Sequence, residues 1–583
     1  LSLASAISRA SLVSRACLAL VLAAATACSR ESPEATMREF NALRQDFVDF
    51  YLQQNPTLAT SLGEHRYDGL LANLSARGVK AGAQRYEDLL ARLQAIDPAV
   101  LAPADQLEHA LLEGRLRAEL LERREIRTYA RNPMVYGLEI SFGLLELAVR
   151  PFAPAAERMR SATGRLRTVP ALLEAARDNL QRPPEVFTRT GLGIARAGAE
   201  FVAHDYSEAF GPVSDLDLRA DFESARAEAA SALRAFVAWM ETVLLPRSDG
   251  EFALGEDRLV RKLQYEELLD VPLARVLALG EEELERQHAE LVRLAGEVLP
   301  GATPREAVAT LARQHPSADE IVPEAERLLQ EALTFLRAHP VVTLPEAPPP
   351  KVAPTPPFYR FTFASMHPAG PFEKDATDSY YYLTLPEPDW PPGRVEQHLA
   401  EFNRWLLPIV TLHEVYPGHY LQALALREPG PALRRVIPVA SYVEGWAHYC
   451  EQMMLEEGYG GDDARLRIMQ LKDSLLRLCR LVAAVRLHTS GMTLDQATRL
   501  FVEKAFMEPL PARQEAERGA YDSTYLVYAL GKMQILKLRD DVRAAEGARF
   551  SLRAFHDRVL AEGVLPLPLL RRVLLPDDAR PSL

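Results

Sequence analysis

Residues 398–426 read HLAEFNRWLLPIVTLHEVYPGHYLQALAL. Apolar residues recur at intervals of three and four on both sides of Val415-Tyr416-Pro417-Gly418, the period of a helix. His413, Glu414 and His419 sit inside this text. Six residues at about 100° each leave the second imidazole about 120° away from the first, off the shared face of an ideal helix. A plain helix therefore cannot aim both rings at one point. Pro417 lacks an N–H, so it breaks the hydrogen bond to the His413 carbonyl. With Gly418 it permits a bulge that rotates His419 back. The segment is expected to be a distorted helix that brings two imidazoles together.

Working outward, helix-period text continues from Glu396 almost to residue 583, with a capping box at Thr493-Leu494-Asp495-Gln496 after Gly491. Upstream, Glu34 to about His339 is a succession of amphipathic stretches such as MREFNALRQDFVDFYLQQ and AERLLQEALTFLRAH, broken at Pro or Gly clusters such as Arg182-Pro183-Pro184. No self-similar period indicates a solenoid. Between Pro340 and Pro392 prolines accumulate around the β-rich runs FYRFTFASM and SYYYLTL, which predict short strands and loops. The expected fold class is mainly α, with a small β element. The expected boundaries are a helical part over 34–340, a Pro-rich part with strands over 341–395 and a helical part over 396–583.

The 583 residues are 48% hydrophobic and 25% charged, an ordinary globular composition. With 67 basic and 80 acidic residues, a net charge of −13 and a pI near 5.6, there is no concentrated basic surface for phosphate contacts. Nucleic-acid partners are excluded on that ground. No G-x-S-x-G elbow or P-loop occurs, and TGLGIARAG at 190–198 does not match the dinucleotide fingerprint.

The first 28 residues carry Arg9 and Arg15, then an apolar stretch from Ala16 to Ala25, then Ala25-Thr26-Ala27-Cys28. This reads as an export signal over 1–27 followed by a polar spacer over 28–33. The apolar stretch is too short for a spanning helix of roughly 20 residues. Its end resembles the lipobox of bacterial lipoproteins, in which Cys28 would be lipidated; the alternative is an ordinary signal peptide with an incidental Cys. Cleavage before Cys28 would remove two Arg and no acid, leaving 65 basic and 80 acidic residues, net −15. Membrane contact would then come from the N-terminal lipid, on the periplasmic side of the cell envelope. Cys450 and Cys479 would remain, either paired or as buried thiols.

A His-Glu pair followed by a second His resembles the zincins, where two imidazoles bind Zn and the Glu beside the first activates water. A third ligand is expected on a following helix. SYVEGWAHYCEQMMLEEG, residues 441–458, offers Glu444, 25 residues past His419 and about where the gluzincins carry theirs. His448 and Glu451 follow at i+4 and i+7 on the same face, as partners of the ligands or as substitutes for them. Three protein ligands would leave one position for water, with Glu414 as general base.

An oxyanion then needs a further donor. ERGAYDSTYLVYALGKMQILKLR, residues 517–539, spaces Tyr521, Tyr525, Tyr528 and Lys532 as one helical stripe. Tyr528 is the expected donor, Tyr521 and Tyr525 its neighbours, and Arg518 or Lys532 an anchor for a substrate carboxylate; tyrosines packing a core would produce the same spacing. His488, ending the apolar run RLVAAVRLHTSGM, either caps carbonyls or assists the transition state. The strands could offer an edge to an extended peptide, or simply pack.

HEVYPGHYLQ, SYVEGWAHYCEQ, RLHTSGMTLDQA and the 517–539 block together resemble the family catalogued as domain of unknown function 885, many members of which look like bacterial lipoproteins. NPTLATSLGEHRYDG, FTFASMHPAGPFE and SYYYLTLP also look like family segments, so the resemblance spans 34–583 as one unit. It implies a large helical zincin-like scaffold with a deep cleft, a Zn held by His413, His419 and Glu444, and Glu414 as general base. The expectation is an exported zinc-dependent peptidase acting on short peptides. The competing readings are a non-catalytic lipoprotein that binds peptides or envelope partners through a vestigial metal site, and a hydrolase for another amide or ester.

Overall fold

The computed structural model describes residues 32–356, 360 and 363–583, so the export segment with Cys28 lies outside the described residues. The protein is mainly α-helical with one three-stranded sheet. Local chemistry marks many helix starts. Ser32 accepts from the Ala35 N–H ahead of Pro33–Gln54, and reciprocal capping boxes open Pro304–Ala312 (Thr303 with Glu306) and Leu494–Lys504 (Thr493 with Gln496). Among the described residues no helix is long and apolar enough to cross a membrane.

Two apolar cores organise these helices. One is built from Leu74 and from Tyr136 to Leu244, chiefly by the helices Met134–Val149, Ala155–Asn179, Glu185–Glu200 and Leu216–Trp239. The larger joins Phe40 and Leu116 to Leu291 and Leu336, and then to Leu412, Trp446, Leu481 and Leu570. The core therefore crosses residue 340: both ends of the 34–340 part bury their apolar faces against the C-terminal third. The long helix Leu273–Val298 packs on Ala464–Thr489 so closely that a Cβ on Gly280 would stand 2.3 Å from Leu481 Cδ2. Leu481 is fully buried, and its truncation to Ala would cost about 2–5 kcal/mol.

The sheet comprises β1 (Lys351–Pro354), β2 (Ala364–His367) and β3 (Tyr380–Leu383), in the order β1-β3-β2. β1 runs parallel to β3, and β2 antiparallel, with Met366 opposite Tyr381. The Thr384 N–H donates to the Phe363 carbonyl at 2.8 Å, which makes Ser365 and Tyr382 the next hydrogen-bonded pair and turns the Met366 N–H to the outer edge. That edge faces Leu407–Glu414, the helix that carries His413. Buried Arg150 donates to the carbonyls of Pro368 and Ala376, tying the turn between β2 and β3 to the N-terminal half. Cys450 and Cys479 are buried free thiols, so the disulfide alternative does not hold.

Candidate metal centre

The expected bulge is a full break. One helix ends at Glu414 and a second begins at His419, with a cis Tyr416–Pro417 peptide between them. The Gly418 N–H returns to the Leu412 carbonyl at 3.1 Å, and a Cβ on Gly418 would fall 1.8 Å from the His413 carbonyl oxygen, so only glycine fits. The Pro417 carbonyl freed by the break accepts from Trp446 Nε1 at 2.9 Å, and the Cys450 thiol lies 3.6 Å from it. Both come from Ala440–Glu456, the helix that carries Glu444. The helix supplying the third side chain thus also clamps the break that turns His419.

His413, His419 and Glu444 converge. Glu444 Oε2 stands 3.7 Å from His413 Nε2 and 3.6 Å from His419 Nε2; the rings lie 4.7 Å apart and nearly perpendicular. One donor atom from each falls within 4.8 Å of the others, the one such potential metal-holding group among the described residues. Around a tetrahedral Zn2+ with bonds of about 2.0–2.2 Å, neighbouring donors stand roughly 3.3–3.6 Å apart. The Glu444 distances to both imidazoles, 3.7 and 3.6 Å, match that spacing, and two imidazoles with a carboxylate are a donor set suited to the ion. Burial by itself would raise the Glu444 carboxyl, yet the two imidazoles hold it well below the usual carboxylate range. Burial works against a charged His413, but Glu444 and Glu451 outweigh it and raise its pKa to about 10.

Behind this group runs a buried polar chain. Glu451, wholly buried, accepts from His413 Nδ1 at 2.7 Å and from His448 Nδ1 at 3.0 Å, with an Arg477 nitrogen at 3.4 Å. Burial opposes its charge, but Arg477 and both imidazoles keep it ionised. Burial, helped by Lys532, pushes His448 well below the ordinary imidazole value, so the ring is neutral and its Nε2 accepts from the Ser474 hydroxyl at 3.3 Å. Lys532 Nζ donates to the same hydroxyl at 3.2 Å. His448 and Glu451 therefore support the ligand set from behind. Glu414 points elsewhere: its Oε2 accepts from the Met366 N–H of β2 at 2.8 Å, which leaves Oε1 uncommitted in the hydrogen bonds described. Glu414, His419 and Glu444 keep partial exposure, so the centre opens on their side.

The tyrosine stripe is corrected. One helix ends at Tyr521 and another starts at Val527, so the four residues do not share a helix; Asp522–Leu526 turns the chain. Tyr528 is partly buried near Glu444, surrounded by the guanidinium groups of Arg477, Arg480 and Arg518 at 5.9, 5.1 and 5.7 Å from its ring centre. Arg518 donates to the Tyr528 oxygen at 3.4 Å and pairs with Asp522. Tyr525 is 1% exposed, with its hydroxyl buried against Gly519, a core position. Tyr521 lines a different cavity of about 310 Å3 together with His488. Lys532 is 3% exposed and bonded to Ser474, so it cannot reach out to a substrate; burial lowers its pKa to about 8.

His488 is also remote. It lies eleven residues beyond Arg477 on the helix Ala464–Thr489, about 16 Å along the axis. Its Nδ1 accepts from the Leu254 N–H at 3.2 Å and its Nε2 bonds the Gly519 carbonyl at 2.9 Å, a structural tie between segments. Sequence reasoning missed Asp473, Ser474 and Arg477 on this same helix. The signal was present: an Asp-Arg pair at i and i+4, with Gln470 and Arg480 one turn to either side, on a helix rich in Leu and Val, a pattern expected of charges buried for a purpose.

A family model described as bacterial protein of unknown function, DUF885, matches residues 56–574. Two solved structures are similar. One is a candidate lipoprotein of unknown function from Shewanella oneidensis, 24% identical, with a TM-score of 0.76 over 92% of this chain and 99% of its own. The other is a candidate lipoprotein from Colwellia psychrerythraea, 18% identical, with a TM-score of 0.79 over 92% and 98%. At these identities they show a shared fold. No curated protein matches.

Proposed function

This chain belongs to the DUF885 family, and we propose that it is an exported zinc-dependent peptidase that hydrolyses short peptides. The observation that carries the reading is the convergence of His413, His419 and Glu444, with one donor atom of each within 4.8 Å of the others, and Glu414 next to His413 in the chain. Location in the cell envelope, with a lipid on Cys28, draws support from the N-terminal sequence and from the two similar structures being described as lipoproteins.

Zn2+ held by the three side chains would polarise a carbonyl and lower the pKa of a bound water to about 7. The remaining steps fall to the chain's own groups. Glu414 Oε2 is occupied by the Met366 N–H, so Oε1 takes the water proton and passes it to the leaving amine. Burial and the nearby Glu444 raise the Tyr528 pKa, so the phenol keeps its hydrogen at neutral pH. Its oxygen accepts from Arg518, which leaves the O–H to donate to the developing oxyanion. Glu451 keeps the His413 proton on Nδ1, so Nε2 is the nitrogen that would exchange its proton for the ion.

The test is turnover of a short-peptide library by Zn-loaded protein beside folded protein substrates. Cleavage confined to short peptides supports the reading; equal rates on folded casein-like substrates would remove the size limit. No cleavage by protein that holds Zn would favour a binding lipoprotein.

A further inference from the structure

A cavity of about 690 Å3 opens between the helix Pro304–Ala312, the Arg477 helix and residues 505–511, which lead into the helix Pro509–Tyr521. Ala309, Ala312, Leu406, Leu476 and Phe506 give it an apolar lining. Most charged groups beside it answer one another: Lys472 with Glu401 at 3.8 Å, Arg305 with Glu508 at 3.9 Å, Glu396 with His315 at 3.1 Å, while Arg313 donates to the Thr310 hydroxyl at 3.0 Å. A basic ligand side chain would have to break one of these pairs, whereas an apolar one gains burial without that cost.

Two of its walls adjoin the surroundings of the metal centre, one at the buried polar chain behind it and one on the Glu414 side. Asp473 lines the cavity and pairs with Arg477, whose nitrogen lies 3.4 Å from Glu451 and 3.5 Å from His413 Nδ1. Phe363 lines it as well, three residues before Met366, whose N–H holds Glu414. At about 3.3 Å per extended residue, Phe363 lies roughly 10 Å along the chain from the N–H that holds the general base. Its volume falls in the range of about 300–1,000 Å3 usual for ligand sites.

We propose that this cavity is the subsite for a bulky apolar or aromatic side chain of the peptide substrate, an inference that rests on the peptidase reading. The experiment has two arms. In the first, Zn-loaded protein is given peptides that carry Phe, Leu, Gly or Lys in turn at each position. At one position kcat/KM for Phe or Leu should exceed that for Gly or Lys about tenfold or more. Ala309→Trp and Ala312→Phe, which fill the cavity from a helix surface, should each collapse that ratio. In the second arm, binding of the same fluorescent peptides to Glu414→Gln protein is followed by anisotropy, with and without Ala309→Trp.

Turnover whose Phe-to-Gly ratio is flat, or is unmoved in both filled variants, overturns the subsite and leaves the peptidase standing. Absent turnover with Phe-selective binding that Ala309→Trp abolishes overturns the peptidase and leaves the subsite as a binding pocket. Failure of both arms overturns both.

Discussion

Glu451 accepts a 2.7 Å hydrogen bond from His413 Nδ1 across two helices, although the residues are 38 apart in sequence. Because Glu451 is ionised and can only accept, it keeps a proton on Nδ1 and turns Nε2 toward Glu444, so that a metal ion would take the place of the Nε2 proton. Glu451→Gln should therefore weaken Zn affinity about ten- to hundredfold. Chelator competition measures it. Unchanged affinity in the folded variant would show that the orientation of His413 does not depend on Glu451.

Glu414 needs a different result. Its carboxylate is held by a backbone N–H and none of the hydrogen bonds described joins it to His413, His419 or Glu444. Glu414→Gln keeps an acceptor for the Met366 N–H but loses the base, so turnover should fall at least about a hundredfold with metal content preserved. Loss of the metal along with activity would place Glu414 among the ligands instead.

Gly445, next to Glu444, meets Gly531 where the helices Ala440–Glu456 and Val527–Glu546 cross. A Cβ on Gly445 would stand 2.6 Å from the Gly531 Cα, and one on Gly531 would stand 2.0 Å from the Ser441 carbonyl oxygen. Gly445→Ala should destabilise the fold by about 1–3 kcal/mol and lower metal affinity by shifting Glu444. Urea unfolding and Zn titration read the two effects. A wild-type midpoint would contradict the close backbone contact.

Much of this was legible beforehand, for physical reasons. A 3.6-residue apolar period survives in almost any helical packing, so the helical class and the Pro-rich strand segment could be read directly. The i, i+6 spacing of His413 and His419 demanded a departure from ideal helix, and Pro417-Gly418 located it. That it is a complete break held by Trp446 could not be read, because the clamp is a contact between segments 29 residues apart. The tyrosine stripe misled because Asp522–Leu526 carries no Pro or Gly to announce a turn. The core that crosses residue 340 was hidden for a related reason: an apolar face does not name its partner.

Glu267 gives the pH prediction. It is 4% exposed and accepts from the Ser441 N–H at 3.2 Å and from the Ser441 hydroxyl, at the start of the Glu444 helix. Burial outweighs those hydrogen bonds and raises its pKa from 4.5 to about 7. Between those values the folded chain holds a proton that the unfolded chain has released, so this group makes stability fall as pH rises, by roughly 1.4 kcal/mol per unit at most. Glu267→Gln should flatten that slope and raise Tm relative to wild type more at pH 8 than at pH 5. Equal slopes in the two proteins would contradict it.

The account turns on whether the three converging side chains bind a metal. Elemental mass spectrometry of the purified protein, beside His413→Ala and Glu444→Ala, asks this directly. The expected result is about one Zn per chain, lost in both variants while their helical circular dichroism persists. No retained metal in the wild-type protein, even after Zn addition and dialysis, would contradict it.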